Sequence, residues 1–311
     1  MRKYLDANII FSTKDMSKES WLKKRKEGIG GSDAASVLGL NPYKSSMSVY
    51  MSMKNDLEED EKPNYKMYLG NKLEDFVANE FSIKTGKKVR NVNGILKNDK
   101  YPFALGNIDK AVVGEKAFLE CYVTSSYSKR LWEKDVPNYC KIQCYHYMAI
   151  TGATHCYVAV LIGNEDFIIH KLDRDENLIN EIMALEKDFW DKCILGEELP
   201  VPDGSDDYFK KLESLYKDST KKEIILFEKG DLLKRYDDVC EFLKELNSEK
   251  KAIEQYFQMQ MKDYEVAYVG DRKITWKKQS RNIVDIKRLK KDYPDLVKEY
   301  MKTTTSRVFK M

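Results

Sequence analysis

A chain of 311 residues, 42% hydrophobic and 12% aromatic, carries enough apolar material for one or two ordinary cores, and its 34% charged content points to long solvated helices. No apolar run approaches the roughly eighteen residues of a membrane span, the opening stretch MRKYLDANIIFSTKD lacks the apolar centre of a secretory signal, and the six cysteines (121, 140, 144, 156, 193, 240) form no CxxC pair. A transmembrane protein and a disulfide scaffold are thereby excluded as expectations, leaving a chain with free thiols in a reducing, cytoplasmic setting.

The net charge of +3 is unevenly spread. Residues 271–311 hold 13 basic and 5 acidic side chains, a balance of +8, so the other 270 residues sum to −5. A basic carboxyl-terminal segment on an acidic body fits a polyanion contact, and equally a solvated helix face with a charged tail.

In chain order, Ser20 to Glu27 reads as a short helix carrying Trp21 and Arg25. The glycine-rich turn Gly28-Ile29-Gly30-Gly31 leads into a second short helix, with Ser32 as its expected N-cap. Gly30 and Gly31 would let a phosphate approach the backbone there. SSMSVYMSMK reads as a helix, and Asn55 to Asn64 as a loop. Tyr65 to Thr85 is the first long helix, with an apolar stripe of Leu69, Leu73, Phe76, Val77 and Phe81, Glu74 at the stripe's border, and Gly86 as C-cap. Three strands follow, Lys88–Lys97, Phe103–Val113 and Ala117–Val123. The last two form a hairpin with its turn at Gly114, bringing Asp109 and Glu120 to one sheet edge, where a hard divalent cation takes oxygen ligands.

Trp132 falls on a short helix. Asn138 to Thr151 is a helix closing at Gly152, with Gln143 and Tyr147 on one face. Strands His155–Ile162 and Phe167–Leu172 precede a helix from Asp175 to Cys193 and a loop from Pro200 to Asp207. Helix-strand-strand-strand-helix-strand is an α/β order with a mixed sheet flanked by helices. Beyond that body, Leu232, Tyr236, Val239, Leu243, Leu246, Ile253 and Phe257 form a heptad seam of about four repeats broken at Lys250. A hairpin around Gly270-Asp271, a partly helical stretch from Ile286 to Met301 restarted by Pro294, and a terminal strand in TTTSRVFKM complete the chain. The expected division is residues 1–205 and 206–311.

Taken together, Arg25 and Ser32 with GIGGSDAASVLGL, Glu74 in GNKLEDF, Asp109 in ALGNIDK, Glu120 in LEC and the Gln143–Tyr147 pair resemble the YqaJ-type viral recombinases. These are similar to the lambda-type exonucleases of the PD-(D/E)XK nuclease superfamily. The resemblance runs from about Ser20 to Trp190, and the basic tail also looks like that of phage-type members. It implies a restriction-endonuclease-like core with a helical, basic extension, and a Mg2+-dependent deoxyribonuclease (Mn2+ as substitute) trimming one strand of duplex DNA from its end in the 5′-to-3′ direction. Asp109 and Glu120 would hold the metal, with the backbone carbonyl of Cys121 as a further ligand, and Glu74 would orient water or a second ion. Gln143 would fix the nucleophile side above Tyr147, and Arg25 and Ser32 would grip the terminal 5′-phosphate. The implied partners are duplex ends and a single-strand annealing protein, and lambda-type members form rings.

One position departs from the pattern. The motif Glu-x-Lys reads Glu120-Cys121-Tyr122 here, and a tyrosine carries no positive charge at neutral pH. Strand alternation puts Tyr122 on Glu120's face, reaching the metal cleft. Three readings stay open: the lysine has migrated, with Lys110, Lys129 and Lys141 as candidates; the enzyme is slow or altered; or the fold is a DNA-end or protein-binding module that does not cut.

Overall fold

The computed structural model describes residues 2–14, 16–54, 65–220, 222–303 and 305–311, so the expected loop Asn55–Asn64 lies outside the described residues. Two compact units divide the chain, Met1–Tyr216 and Lys217–Met311.

The first unit opens on a hairpin, β1 (Lys3–Tyr4) and β2 (Ala7–Ser12), then α1 (Lys18–Arg25). Where a glycine turn was expected there is a short strand, β3 (Ile29–Gly30), and α2 (Gly31–Val37) starts directly after it. A Cβ at Gly28 would stand 2.8 Å from the Phe103 carbonyl oxygen, so the bare glycine lets this segment lie close enough to pair with Ala104 and Leu105 in parallel. Next come α3 (Ser46–Lys54) and α4 (Tyr65–Thr85), the latter within its expected bounds and closed by Gly86 at φ +72°. It buries Val77, Ala78 and Phe81, but Phe76 is 48% exposed. One residue is a turn of about 100° around a helix, and the stripe passes through Val77, leaving Phe76 off the buried face.

The expected strand Lys88–Lys97 is broken into β4 (Val89–Arg90) and β5 (Gly94–Asn98). Asn93 between them sits at φ +50°, the left-handed region that asparagine tolerates better than most side chains. The next is broken too, into β6 (Tyr101–Gly106) and β7 (Lys110–Val112), before β8 (Ala117–Thr124). Gly114, at φ +84°, makes the expected β7–β8 turn. Then follow α5 (Lys129–Lys134), α6 (Asn138–Thr151), β9 (His155–Ile162), β10 (Asp166–Asp173), α7 (Glu176–Phe189) running into a wide turn over Trp190–Leu195, and α8 (Asp206–Leu215). Asp207 anchors α8 to the start of α3 by accepting hydrogen bonds from the Ser45 amide and hydroxyl and the Ser48 hydroxyl at 2.6–2.8 Å.

The architecture is mixed α/β. The strands make two five-stranded mixed sheets, ordered β1-β2-β5-β6-β3 and β10-β9-β8-β7-β4, with parallel pairing at β3–β6 and β8–β9. Because β6 belongs to the first sheet and β7 to the second, the chain crosses between sheets at Asn107–Asp109. On one face of the second sheet, α4 packs through Val77 and Phe81 against Leu119 and Tyr157. On the other face α6 contributes Cys144, Met148 and Ile150 to the main core, which also holds Phe118 and Val158. Fully buried side chains of this size each stabilise the fold by about 1.5–3 kcal/mol.

α6 also carries a buried His146, which lies between the Glu186 carboxylate (2.8 Å from Nδ1) and the Leu105 carbonyl (3.0 Å from Nε2). Burial alone would lower its proton affinity, but the Glu186 charge and bond outweigh that and raise it. This pair ties α7 to α6 and to the end of β6, just ahead of the crossover.

The second unit holds α9 (Gly230–Met261), the hairpin β11 (Val266–Val269) and β12 (Arg272–Thr275), α10 (Ile286–Asp292) and α11 (Pro294–Glu299). The seam residues Leu232, Leu243, Leu246 and Ile253 are exposed along α9. The terminal strand expected in TTTSRVFKM is absent among the described residues.

Candidate active site

The crossover between sheets places Asp109 where the backbone leaves one ladder and has not yet joined the next, so its amide is available for a side chain. Glu120 takes it: the Asp109 amide donates to Glu120 Oε1 at 3.3 Å. In return the Cys121 amide donates to Asp109 Oδ2 at 2.8 Å. Gln143, reaching from α6, donates from Nε2 to Glu120 Oε2 at 2.8 Å. The two acids and the glutamine singled out in the sequence are therefore brought together, laced by backbone amides.

Glu74 arrives from α4 through a residue with a larger role than its sequence suggested. Lys110 is only 5% exposed, and its ammonium donates to Glu74 at 2.5 Å and to Asp75 at 2.8 Å. Glu74, Asp75, Asp109 and Lys110 line one polar cleft of about 260 Å³, shared with Asn71 and Asn107. A larger hollow of about 530 Å³, beside Tyr101, Phe103 and Trp190, contains none of these acids.

Electrostatics mark the acid pair as strained for charge. Burial first, and the Glu74 charge second, push the Asp109 carboxyl up to about 7. Burial, followed by Asp109 and Cys144, pushes Glu120 well above the usual carboxylate range against the pull of the Asp109 amide and Gln143. Buried hard oxygens that resist ionising side by side are a donor set that a hard divalent cation relieves, so the two carboxylates fit an ion of that class. Among the described residues no group of three or more His, Cys, Asp or Glu side chains is placed to hold a metal ion, so the side-chain donors here are the two carboxylates.

Tyr122 does not reach the cleft as expected. It shares Glu120's face of β8, but its ring lies on Trp132 with centroids 5.4 Å apart. Its hydroxyl is buried near the Cys140 and Cys144 thiols, with no hydrogen bond of ordinary geometry among the described residues. Trp132 of α5 and Cys140 and Cys144 of α6 flank the side chain, which is partly buried against the main core. Of the three candidate lysines, Lys129 pairs with Asp166 and Lys141 with Asp135. Only Lys110 lines the cleft. It pairs with Leu119 across the ladder and so projects on the α4 side, opposite to Glu120 and Tyr122. Its sequence signal was its place next to Asp109; nothing in the sequence announced that it would be buried against Glu74, 36 positions away.

Arg25 and Ser32 also meet. Ser32, however, is not an N-cap: α2 begins at Gly31 with Gly30 as its cap residue, and no side chain caps it. The Ser32 hydroxyl accepts instead from Arg25 Nη2, which also donates to Asp33 Oδ2 at 2.9 Å. Below them, Tyr147 packs against Gly31 and edge-on to Phe118. A Cβ at Gly31 would fall 2.3 Å from the Tyr147 ring. Gly31→Ala is accordingly expected to cost about 1–3 kcal/mol of stability, as overpacking of a dense core does, and thermal denaturation beside wild type checks it.

These features define a mixed α/β protein with a laced, buried acid pair beside a polar cleft that a lysine shares. Residues 20–154 match the family model described as the YqaJ-like viral recombinase domain. The chain is 35% identical over 308 residues to the protein YqaJ of Bacillus subtilis (strain 168), covering 97% of each. The chain belongs to the YqaJ-like viral recombinase family. Among solved structures it is similar to an alkaline exonuclease, LHK-Exo, from Laribacter hongkongensis, at 18% identity and TM-score 0.48, covering 64% of this chain and 99% of that one. It is also similar to a phage related exonuclease from Haemophilus somnus 129PT, at 14% identity and TM-score 0.41, covering 55% and 96%.

Proposed function

We propose that this chain is a Mg2+-dependent DNA nuclease that degrades one strand of a duplex from its 5′ end, in a phage-type recombination setting with a single-strand annealing protein as partner. The observation that carries this reading is the Asp109–Glu120 pair, buried, mutually laced and raised in proton affinity beside an open polar cleft. Asp109, Glu120 and the Cys121 carbonyl would hold a divalent ion, which when bound would supply an activated water near neutral pH and offset charge on the leaving oxygen. The rest falls to the chain itself. Gln143 fixes Glu120 in one rotamer, and the Cys121 amide does the same for Asp109, so neither has to reorganise during reaction. Lys110 holds Glu74 at the cleft and brings the positive charge that position 122 lacks. Arg25 and Ser32 receive the terminal phosphate.

One observation favours a second reading, a relative that binds ends without cutting: the motif lysine is replaced by a tyrosine packed away on Trp132. The two readings separate in a time course on linear duplex labelled at the 5′ or the 3′ end of one strand. A 5′-acting enzyme releases 5′ label as small products first, and a binding module releases neither label.

The basic carboxyl-terminal segment adds a grip on DNA in this reading. Lys277 and Lys278 are exposed beyond β12, with Arg281 just after them. Each phosphate contact releases condensed counterion, so alanine at all three is expected to flatten the slope of log affinity against log salt by up to about three units. An unchanged slope would make the segment a solvated surface.

A further inference from the structure

The Arg25 cluster contains two residues that the family pattern did not single out. Asp33 on α2 is 5% exposed, and each of its carboxylate oxygens holds a different cation: Oδ2 takes Arg25 Nη2 at 2.9 Å, and Oδ1 takes Lys44 Nζ at 3.0 Å. The cations come from separate segments, Arg25 from the last turn of α1 and Lys44 from the approach to α3. Their side chains remain about one-third exposed, at 32% and 30%, while the acid between them is closed in. Burial alone would raise the Asp33 carboxyl, but the Arg25 charge and then the Lys44 charge outweigh it and hold it below the usual range. Asp33 therefore stays ionised between the two cations.

A buried carboxylate that bridges two partly exposed cations fixes the distance between them. It does not enclose them, since both side chains remain about one-third exposed on their outer side. Such a pair suits an anion with more than one negative charge and several acceptor oxygens. A terminal phosphate monoester, with about −1.5 to −2 charges near neutral pH, meets that description; an internal diester carries one charge and a hydroxyl end none. Arg25 offers a planar fork and Lys44 a point charge with three donors, of which Asp33 takes one.

Resting on the end-acting reading above, we propose that Lys44 is a second cationic contact for the 5′-phosphate of the duplex end, and that Asp33 is a positioning residue holding Arg25 and Lys44 at the spacing that contact needs. Lys44 then sets the preference for phosphorylated over hydroxyl ends, and Asp33 acts only through the two cations.

The experiment measures binding of short duplexes carrying 5′-phosphate, 5′-hydroxyl or 3′-phosphate ends, in Ca2+ to block turnover, for wild type, Lys44→Ala, Lys44→Arg and Asp33→Asn. Wild type is expected to favour the 5′-phosphate end over both others. Lys44→Ala is expected to lower that preference by about tenfold, the effect of one charge-assisted bond, while affinity for the hydroxyl end changes little. Lys44→Arg restores most of it, and Asp33→Asn lowers it without removing either cation. The Lys44 side chain is about one-third exposed and Lys44 is not part of the hydrophobic core, so the result does not hinge on whether Asp33→Asn folds. A wild-type preference that survives unchanged in Lys44→Ala overturns the proposal and leaves the end-acting reading standing. An equal loss of affinity for all three ends in Lys44→Ala also overturns it, making Lys44 a general backbone contact. No preference in wild type removes the end-phosphate reading, and this proposal with it.

Discussion

Asp109→Asn and Glu120→Gln are each expected to lower Mg2+-dependent cleavage by about 10³-fold or more and to abolish the cation site seen by Mn2+ titration. Both substitutions keep the shape of the side chain and an oxygen that can accept a hydrogen bond. The side-chain oxygen left by Asp109→Asn can still receive the Cys121 amide, and the one left by Glu120→Gln can still receive the backbone amide of residue 109. The lacing of the hairpin therefore survives while the charge is lost. Stability should not fall in Asp109→Asn. The charge of Asp109 raises the proton affinity of Glu120, and a neutral amide in its place relieves that repulsion. An unchanged or higher Tm together with lost cleavage and lost Mn2+ binding assigns the effect to the site. Mn2+ binding equal to wild type in both variants would remove the acid pair from the metal site.

The second large effect concerns Lys110. Burial works against its charge, but hydrogen bonds to Asp75 and Glu74 more than compensate, and the ammonium remains protonated. It is the only one of the candidate lysines on the cleft wall. Lys110→Met preserves length and removes the charge, leaving Glu74 and Asp75 unpaired across from Asp109. Loss of one preorganised electrostatic contact costs about 10²–10³ in rate, and that is the expected fall in single-turnover cleavage. Lys110→Arg should recover part of it. Tyr122→Lys is expected to bring no gain, because position 122 faces Trp132 and two thiols, and an ammonium there would be buried beside them. A gain of about tenfold from Tyr122→Lys with no loss from Lys110→Met would reverse this assignment and return the missing charge to the motif position.

The elements whose determinants are local were legible in the sequence. α4 and α6 carry an apolar period and end at Gly86 and Gly152, both left-handed in the structure, so pattern and cap agree. The β7–β8 hairpin was legible for the same reason, with Gly114 at its turn. Less was legible where tertiary geometry decides. Phe103–Val113 looks like one strand because apolar residues recur along it, although Gly106, Asn107 and Asp109 disfavour a strand; that the chain changes sheets at Asn107–Asp109 depends on where β5 and β8 lie. The same break exposes the Asp109 amide to Glu120, so the feature that the strand reading missed is the one that builds the site. Ser32 had a cap's composition, but Arg25, seven residues earlier, claims its hydroxyl. The pairs Lys110–Glu74 and Asp33–Lys44 were invisible for a simpler reason: lysine near an acid is the commonest arrangement on any surface, and only burial distinguishes these.

The central claim, a metal-dependent nuclease built on Asp109 and Glu120, is tested most directly by single-turnover cleavage of an end-labelled linear duplex in Mg2+, in EDTA, and with Asp109→Asn in Mg2+. Release of labelled nucleotides by wild type in Mg2+ alone is the expected result. Cleavage that persists in EDTA, or that Asp109→Asn performs as fast as wild type, would contradict it, as would a wild-type protein that binds both duplex ends and Mn2+ yet leaves the DNA intact.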